Sequence, residues 1–290
     1  MNGFKHLSVQ LCVPENVQDV LKTAYLCARK FNGHLDVVHV KPDASCILPF
    51  PVVSSEMAGF VVSDIVSVEE AVCEKNAVEI EKEFHRFVRD NQVLLKTRPE
   101  PDGKPSADFR RMEGNVEENA VWLSRVSDLT VLPRPNTAQT PAGDTFSVLN
   151  AVLMETGAAV LLPAINVEET LGTKIAVEWN GTAEAAKAVT LGMPFLRKAQ
   201  KIVIFETADL PECGNAQALK TLLAWNGVDA QIETLERSLL LGSPLCEAIS
   251  DGFDLLVMGA YTQSSMRRWI LGSTTRYIID NADIALLLAH

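Results

Sequence analysis

The 290-residue chain has no apolar run near the roughly 20 residues that a membrane-crossing helix needs. Its opening segment, Met1–Gln10, lacks a basic region followed by an apolar stretch, so no export signal is expected and a cytoplasmic location is. Aromatic residues reach only 6%, and no arginine- or lysine-rich stripe occurs. With a net charge of −11 and a pI near 5.0, nucleic acid and anionic membranes are excluded as broad partners, because either requires a basic face. The six cysteines (Cys12, Cys27, Cys46, Cys73, Cys213, Cys246) are scattered without a CxxC pair, which indicates reduced thiols. No histidine has a partner at metal-ligand spacing. His34 and His39 lie five apart on one expected strand and point to opposite faces. No metal site is expected. A Walker lysine motif (GxxxxGKS/T), a GxGxxG fingerprint and a GxSxG elbow are all missing, so no catalytic residue is singled out.

What is present is a full core and an alternation of strands and helices. Hydrophobic residues make up 47% and charged residues 22%, an ordinary globular balance, and the length suggests two domains. Lys5–Cys12 reads as a strand ended by Pro14, Val17–Phe31 as a helix, and His34–Val40 as a second strand. Residues 41–64, rich in proline, glycine and serine but with Ile47, Leu48, Phe50 and Phe60, read as a long loop packed down like a lid. A helix over Ile65–Asn91, a third strand over Leu94–Arg98 and a loop punctuated by Pro99, Pro101, Gly103 and Pro105 follow. Val116–Arg125 is a helix, Asp128–Leu132 a strand, Asp144–Thr156 a helix and Ala158–Leu162 a strand.

The series then restarts. Lys174–Trp179, Lys201–Glu206, Gln231–Leu235, Asp254–Met258 and Ile284–Leu288 read as five strands. Between them lie helices at Thr182–Leu196, Gln217–Trp225, Leu245–Asp251 and Ser273–Asp280. Ser127–Leu132 aligns with Phe253–Met258 at an offset of 126, and Val160–Leu162 aligns with Leu286–Leu288 at the same offset. The first strands align at 168 (Val9 with Val177) and the second at 167 (Leu35 with Ile202). Two copies of one five-stranded α/β unit account for this, with boundaries at 1–165 and 172–290 and a linker near Asn166–Gly172.

In the second copy, Met258 and Gly259 end a buried strand, a polar loop runs through Thr262, and Gly272, Ser273 and Thr274 open a helix. Glycine admits a close backbone approach, and the first amides of a helix have no partner of their own, so this is anion-site architecture. Gly259, Thr262, Gly272 and Ser273 resemble the phosphate-binding motif of the universal stress protein family, Gly-x2-Gly-x9-Gly-Ser/Thr, with Thr262 in place of its second glycine. The whole chain resembles a tandem universal stress protein. That resemblance implies two Rossmann-like α/β domains of the adenine nucleotide alpha hydrolase-like type, each a five-stranded parallel sheet of order 3-2-1-4-5 with helices on both faces. It implies an adenine nucleotide, ATP or AMP, across the carboxyl ends of strands one and four of the second domain, with magnesium an option beside ATP. Asn180 stands where the family carries an acid that meets the base and ribose, and Arg267 or Arg268 is placed to reach a terminal phosphate. In the first domain the motif positions hold Pro133, Asn136 and Phe146, so that site is read as degenerate. The expected role is a non-catalytic, nucleotide-responsive stress regulator with an unknown protein partner. The alternatives are a nucleotide-free scaffold or a slow ATPase. A homodimer is plausible, although the family pairs domains through the last strand and one tandem chain can satisfy that contact within itself.

Overall fold

The computed structural model describes residues 3–43, 56–100, 103–135, 145–207, 211–235, 242–250, 252–260 and 273–290. In the first half these form β1 (His6–Gln10), α1 (Val17–Phe31), β2 (His34–Lys41), α2 (Glu56–Asp90), β3 (Leu94–Leu95), β4 (Ser106–Glu113), α3 (Val116–Arg125), β5 (Leu129–Val131), α4 (Thr145–Thr156) and β6 (Val160–Leu162). In the second half they form β7 (Lys174–Trp179), α5 (Ala183–Leu196), β8 (Lys201–Glu206), α6 (Ala216–Trp225), β9 (Gln231–Thr234), α7 (Gly242–Ile249), β10 (Leu255–Gly259), α8 (Ser273–Asn281) and β11 (Ala285–Ala289).

All eleven strands belong to one sheet, in the order β3-β4-β2-β1-β5-β6-β11-β10-β7-β8-β9. Every pairing within a half is parallel, as buried apolar strands joined by helical crossovers require. Renumbered within each half, and with the two-residue β3 set aside, the order is 3-2-1-4-5. The register reproduces the sequence repeat. Val9 pairs with Val37 and Val131, while Val177 pairs with Ile204 and Val257. The halves join where β6 meets β11 in antiparallel fashion: Leu161 faces Leu287, Leu162 faces Leu286 and Val160 faces Leu288. Leu161 and Leu287 are each other's repeat counterparts, so a local pseudo-two-fold axis passes between them, as in an isologous dimer folded into one chain.

Helices cover both faces. One apolar layer runs through both halves and includes Phe4, Phe31, Phe84 and Phe195; the other includes Val38, Val121, Leu149, Met258 and Ile278. The rings of Phe4, Phe31 and Phe195 meet with centroids 5.0–5.3 Å apart, tying α1 of the first half to α5 of the second. The same polar device starts strand one in each half. The Asp128 carboxylate accepts from the amides of Lys5 (2.7 Å) and His6 (2.9 Å), and Asp254 accepts from those of Thr173 (2.9 Å) and Lys174 (3.0 Å). Each aspartate thereby satisfies the two backbone amides at the start of its strand.

Three expectations are corrected. The helix expected from Ile65 begins at Glu56, so the stretch read as a loop over 41–64 stops short of that residue; its part at 44–55 lies outside the described residues. Gly59 and Ser63 are weak helix formers in isolation, but the 35-residue helix carries through them. The strand expected over Leu94–Arg98 is reduced to Leu94–Leu95. The substantial third strand is β4, Ser106–Glu113, which was not expected. It lies near the sheet edge, so Arg110, Arg111 and Glu113 are exposed and the alternation of apolar residues is lost.

Candidate functional site

The carboxyl ends of β7 and β10 bring Asn180, Met258 and Gly259 together. Beyond Trp179 the chain turns through Asn180, whose side-chain oxygen accepts from the Thr182 amide (3.1 Å) and hydroxyl (2.8 Å). Thr182 in turn caps α5 by accepting from the Ala185 amide at 3.2 Å. Met258 is buried, and Gly259 lies under the amino end of α5. A β-carbon on Gly259 would stand 2.6 Å from the Ala185 nitrogen and 2.8 Å from the Glu184 carbonyl carbon. That glycine is therefore demanded by helix-to-strand packing as well as by the motif. Ser273 and Thr274 occupy the first turn of α8, Ser273 exposed and Thr274 half-buried. Thr262, Gly272, Arg267 and Arg268 lie outside the described residues.

A residue not singled out beforehand is central. Glu178, one strand position before Trp179, is 6% exposed on the same sheet face as Met258 and Phe205. Its Oε1 accepts from the Thr207 hydroxyl at 2.9 Å, while its Oε2 is buried with no hydrogen-bond partner. Burial pushes the carboxyl up to about 7, and the nearby hydroxyl of Thr207 and amide of Asn180 only partly offset this. The signal for it was an acid inside the apolar strand KIAVEW, at a position whose period points it inward. The folded protein holds this proton more tightly than the unfolded chain, whose glutamate titrates near 4.5. Stability is therefore highest below about pH 4.5 as far as this group is concerned, and falls as pH rises toward 7, by on the order of 3 kcal/mol. Glu178→Gln is expected to stabilise the protein at pH 8 and to leave it nearly unchanged at pH 4.5, measured by urea midpoints at the two pH values.

The first half is built differently at the matching place. Pro133 lies just beyond β5 at the position where Gly259 ends β10, and it is buried. Next to it Arg134 sends all its donors into carbonyls of both halves. They reach Pro163 (2.9 and 3.0 Å), Ile279 (2.6 Å), Ala282 (2.8 Å) and Ile284 (2.7 Å). Those of Ile279 and Ala282 belong to the carboxyl end of α8, which a cation suits. Burial brings the guanidinium down to about 10, so it remains charged at neutral pH. Phe146, the counterpart of Gly272, packs its ring against Arg276 of α8 at 4.6 Å. Arg134 and Phe146 thus both contact the second half's α8; Asn136 lies outside the described residues.

Among the described residues no group of three or more histidine, cysteine or acidic side chains could hold a metal, and no helix is long and apolar enough to cross a membrane. The five described cysteines are free, and Cys46 lies outside the described residues.

Comparison with known proteins adds a family. Residues 199–290 match the family model described as the universal stress protein family. A universal stress protein from Archaeoglobus fulgidus shares 12% identity and covers 98% of this chain and 97% of its own, with a TM-score of 0.64. A crystal structure described as a putative universal stress protein, from Pseudomonas aeruginosa, shares 13% identity over 99% of this chain and 94% of its own, with a TM-score of 0.55. Likeness at such identity establishes the fold along nearly the full length. No curated relative matches the chain.

Proposed function

We propose that this chain, whose C-terminal region carries a universal stress protein domain and whose full length has the fold of such proteins, binds an adenine nucleotide in its second half and acts as a non-catalytic regulator. The observation that carries the reading is the pair of unlike strand ends. Where the first half closes its site with Pro133 and Arg134, the second leaves Gly259 beside the Asn180 turn and keeps a buried, unpartnered carboxylate oxygen on Glu178. In the family an acid after strand one meets the base and ribose, and Asn180 has no charge to offer there. Glu178 supplies an acceptor two residues upstream, suited to an amino or hydroxyl donor of the ligand. Gly272, Ser273 and Thr274 are assigned to the phosphates through the amides at the start of α8, with Thr262 completing the motif. Magnesium would accompany ATP on its phosphates. Occupancy would bias a surface read by a protein partner; no base is assigned for hydrolysis.

Titration calorimetry with ATP and AMP tests this. Micromolar binding is expected, abolished by Gly272→Phe, which fills the phosphate cradle. No heat and no thermal shift with millimolar ATP would sink the reading in favour of a nucleotide-free scaffold, and unchanged affinity in the Gly272→Phe protein would remove the assigned cradle.

A further inference from the structure

The first half carries a second polar site, at the opposite end of its strands. His6, His34 and Ser106 begin β1, β2 and β4 and stand in register, His6 opposite His34 and His34 opposite Ser106. Two residues along, on the same face, Ser8, Asp36 and Asp108 form the next row, continued by Thr130 on β5. The imidazoles of His6 and His34 stack with centroids 6.1 Å apart and planes 15° apart. His34 shares a hydrogen bond of 2.9 Å with the Ser106 hydroxyl, and His6 Nδ1 donates to the Val126 carbonyl at 3.2 Å. Arg110 forks onto Asp36, its Nε 3.0 Å from Oδ1 and its Nη2 on Oδ2. A cavity of about 760 Å³ opens over His6, His34, Asp36, Ser106, Asp108 and Arg110, rimmed by residues 97–100 and 103–104.

The internal repeat serves as a control for what the fold itself needs. At the register positions of Ser8, Asp36 and Thr130 the second half has Ala176, Val203 and Leu256, all buried. Apolar residues thus serve the same sheet face equally well. Of the three polar residues, Asp36 lines the cavity, and it is only 7% exposed. Interior polar groups that folding does not require point to a ligand.

We propose that this cavity is a binding site for a small hydroxylated organic anion, of the sugar-phosphate or sugar-acid class, separate from the nucleotide site. The charge pattern selects the anion. The lining carries four cationic side chains, Lys5, Arg98, Lys104 and Arg110, against three carboxylates, Asp36, Glu100 and Asp108, and Lys96 pairs with Glu100 at 3.1 Å, in a chain whose net charge is −11. The floor selects the hydroxyls. Burial and the neighbouring His6 hold His34 below its ordinary range, so it is neutral at neutral pH; with Nδ1 on the Ser106 hydroxyl, its Nε2 remains for a ligand, and the Asp108 carboxylate in the next row accepts. A volume of this size admits a molecule of monosaccharide phosphate dimensions.

The test is calorimetric titration of the full chain with glucose 6-phosphate, gluconate, glucose and inorganic phosphate. Glucose 6-phosphate or gluconate is expected to bind, with glucose and phosphate each at least tenfold weaker. Arg98→Ala and Asp108→Ala, neither in the core, are each expected to weaken binding at least tenfold, while Gly272→Phe leaves it unchanged. Thermal melts of both variants report whether they fold as the parent does. No binding by any of the four probes at millimolar concentration, unchanged affinity in both variants, or inorganic phosphate binding as tightly as the sugar phosphate would each overturn the assignment.

Discussion

Arg134→Met is expected to lower the stability of the protein by about 3 to 5 kcal/mol, the range for removing one partner of a buried, charged hydrogen-bond cluster. The side chain makes five hydrogen bonds to carbonyls of Pro163, Ile279, Ala282 and Ile284, and methionine fills similar volume while donating none. The loss falls on both halves, because the residue belongs to the first and holds the exit of α8 in the second. Arg134→Lys is expected to recover only part of it, since three donors on a flexible stem cannot reproduce the planar fork. Arg276→Ala serves as the control. That residue has an i,i+4 pair with Asp280 and a ring contact with Phe146, and its loss is expected to cost about 1 kcal/mol or less. Urea unfolding followed by circular dichroism reads all three, and a midpoint of Arg134→Met equal to the parent's would refute the role given to this arginine.

Gly259→Ala is the second large effect, and it reaches both stability and ligand binding. The added carbon would lie 2.6 Å from the Ala185 nitrogen, a backbone atom that cannot rotate away, so the amino end of α5 must shift as a body. Overpacking of this kind costs about 2 to 3 kcal/mol. Because Thr182 and Asn180 are hydrogen-bonded into the same turn, the displacement also moves the groups assigned to the nucleotide. ATP affinity is expected to fall at least tenfold even at temperatures where the variant remains folded. A variant that melts with the parent would show that α5 has room to spare, contrary to the geometry.

How far the sequence could be read depended on whether the information was local. The runs KIAVEW and KIVIFE became β7 and β8 with the expected limits, because a strand buried on both faces is nearly continuous in apolar residues. The helix Val116–Arg125 also has its expected ends, fixed by Asn115 accepting from the Glu118 amide. By contrast, SADFRRME disguised β4, since a strand near an edge is free to carry charge. The start of α2 was hidden because the helix runs through a glycine and a serine that argue locally for a loop.

The site followed the same rule. Gly259 was legible from a local spacing and Asn180 from its place just after the first strand of the half, and the two strand ends that carry them are neighbours in the sheet. The stacking of His6 on His34 depends on strand register across 28 residues, and the reach of Arg134 to Ile284 crosses 150 positions, so neither is written in any local pattern.

The antiparallel seam between Leu161 and Leu287 has a further consequence. In a dimer of separate chains, identical subunits must change together, and their association depends on concentration. Joined by a short linker, the partners meet at an effective concentration in the millimolar range whatever the amount of protein in the cell. Each copy is then free to diverge, one keeping a glycine at the end of its fourth strand while the other spends the matching stretch on an internal brace.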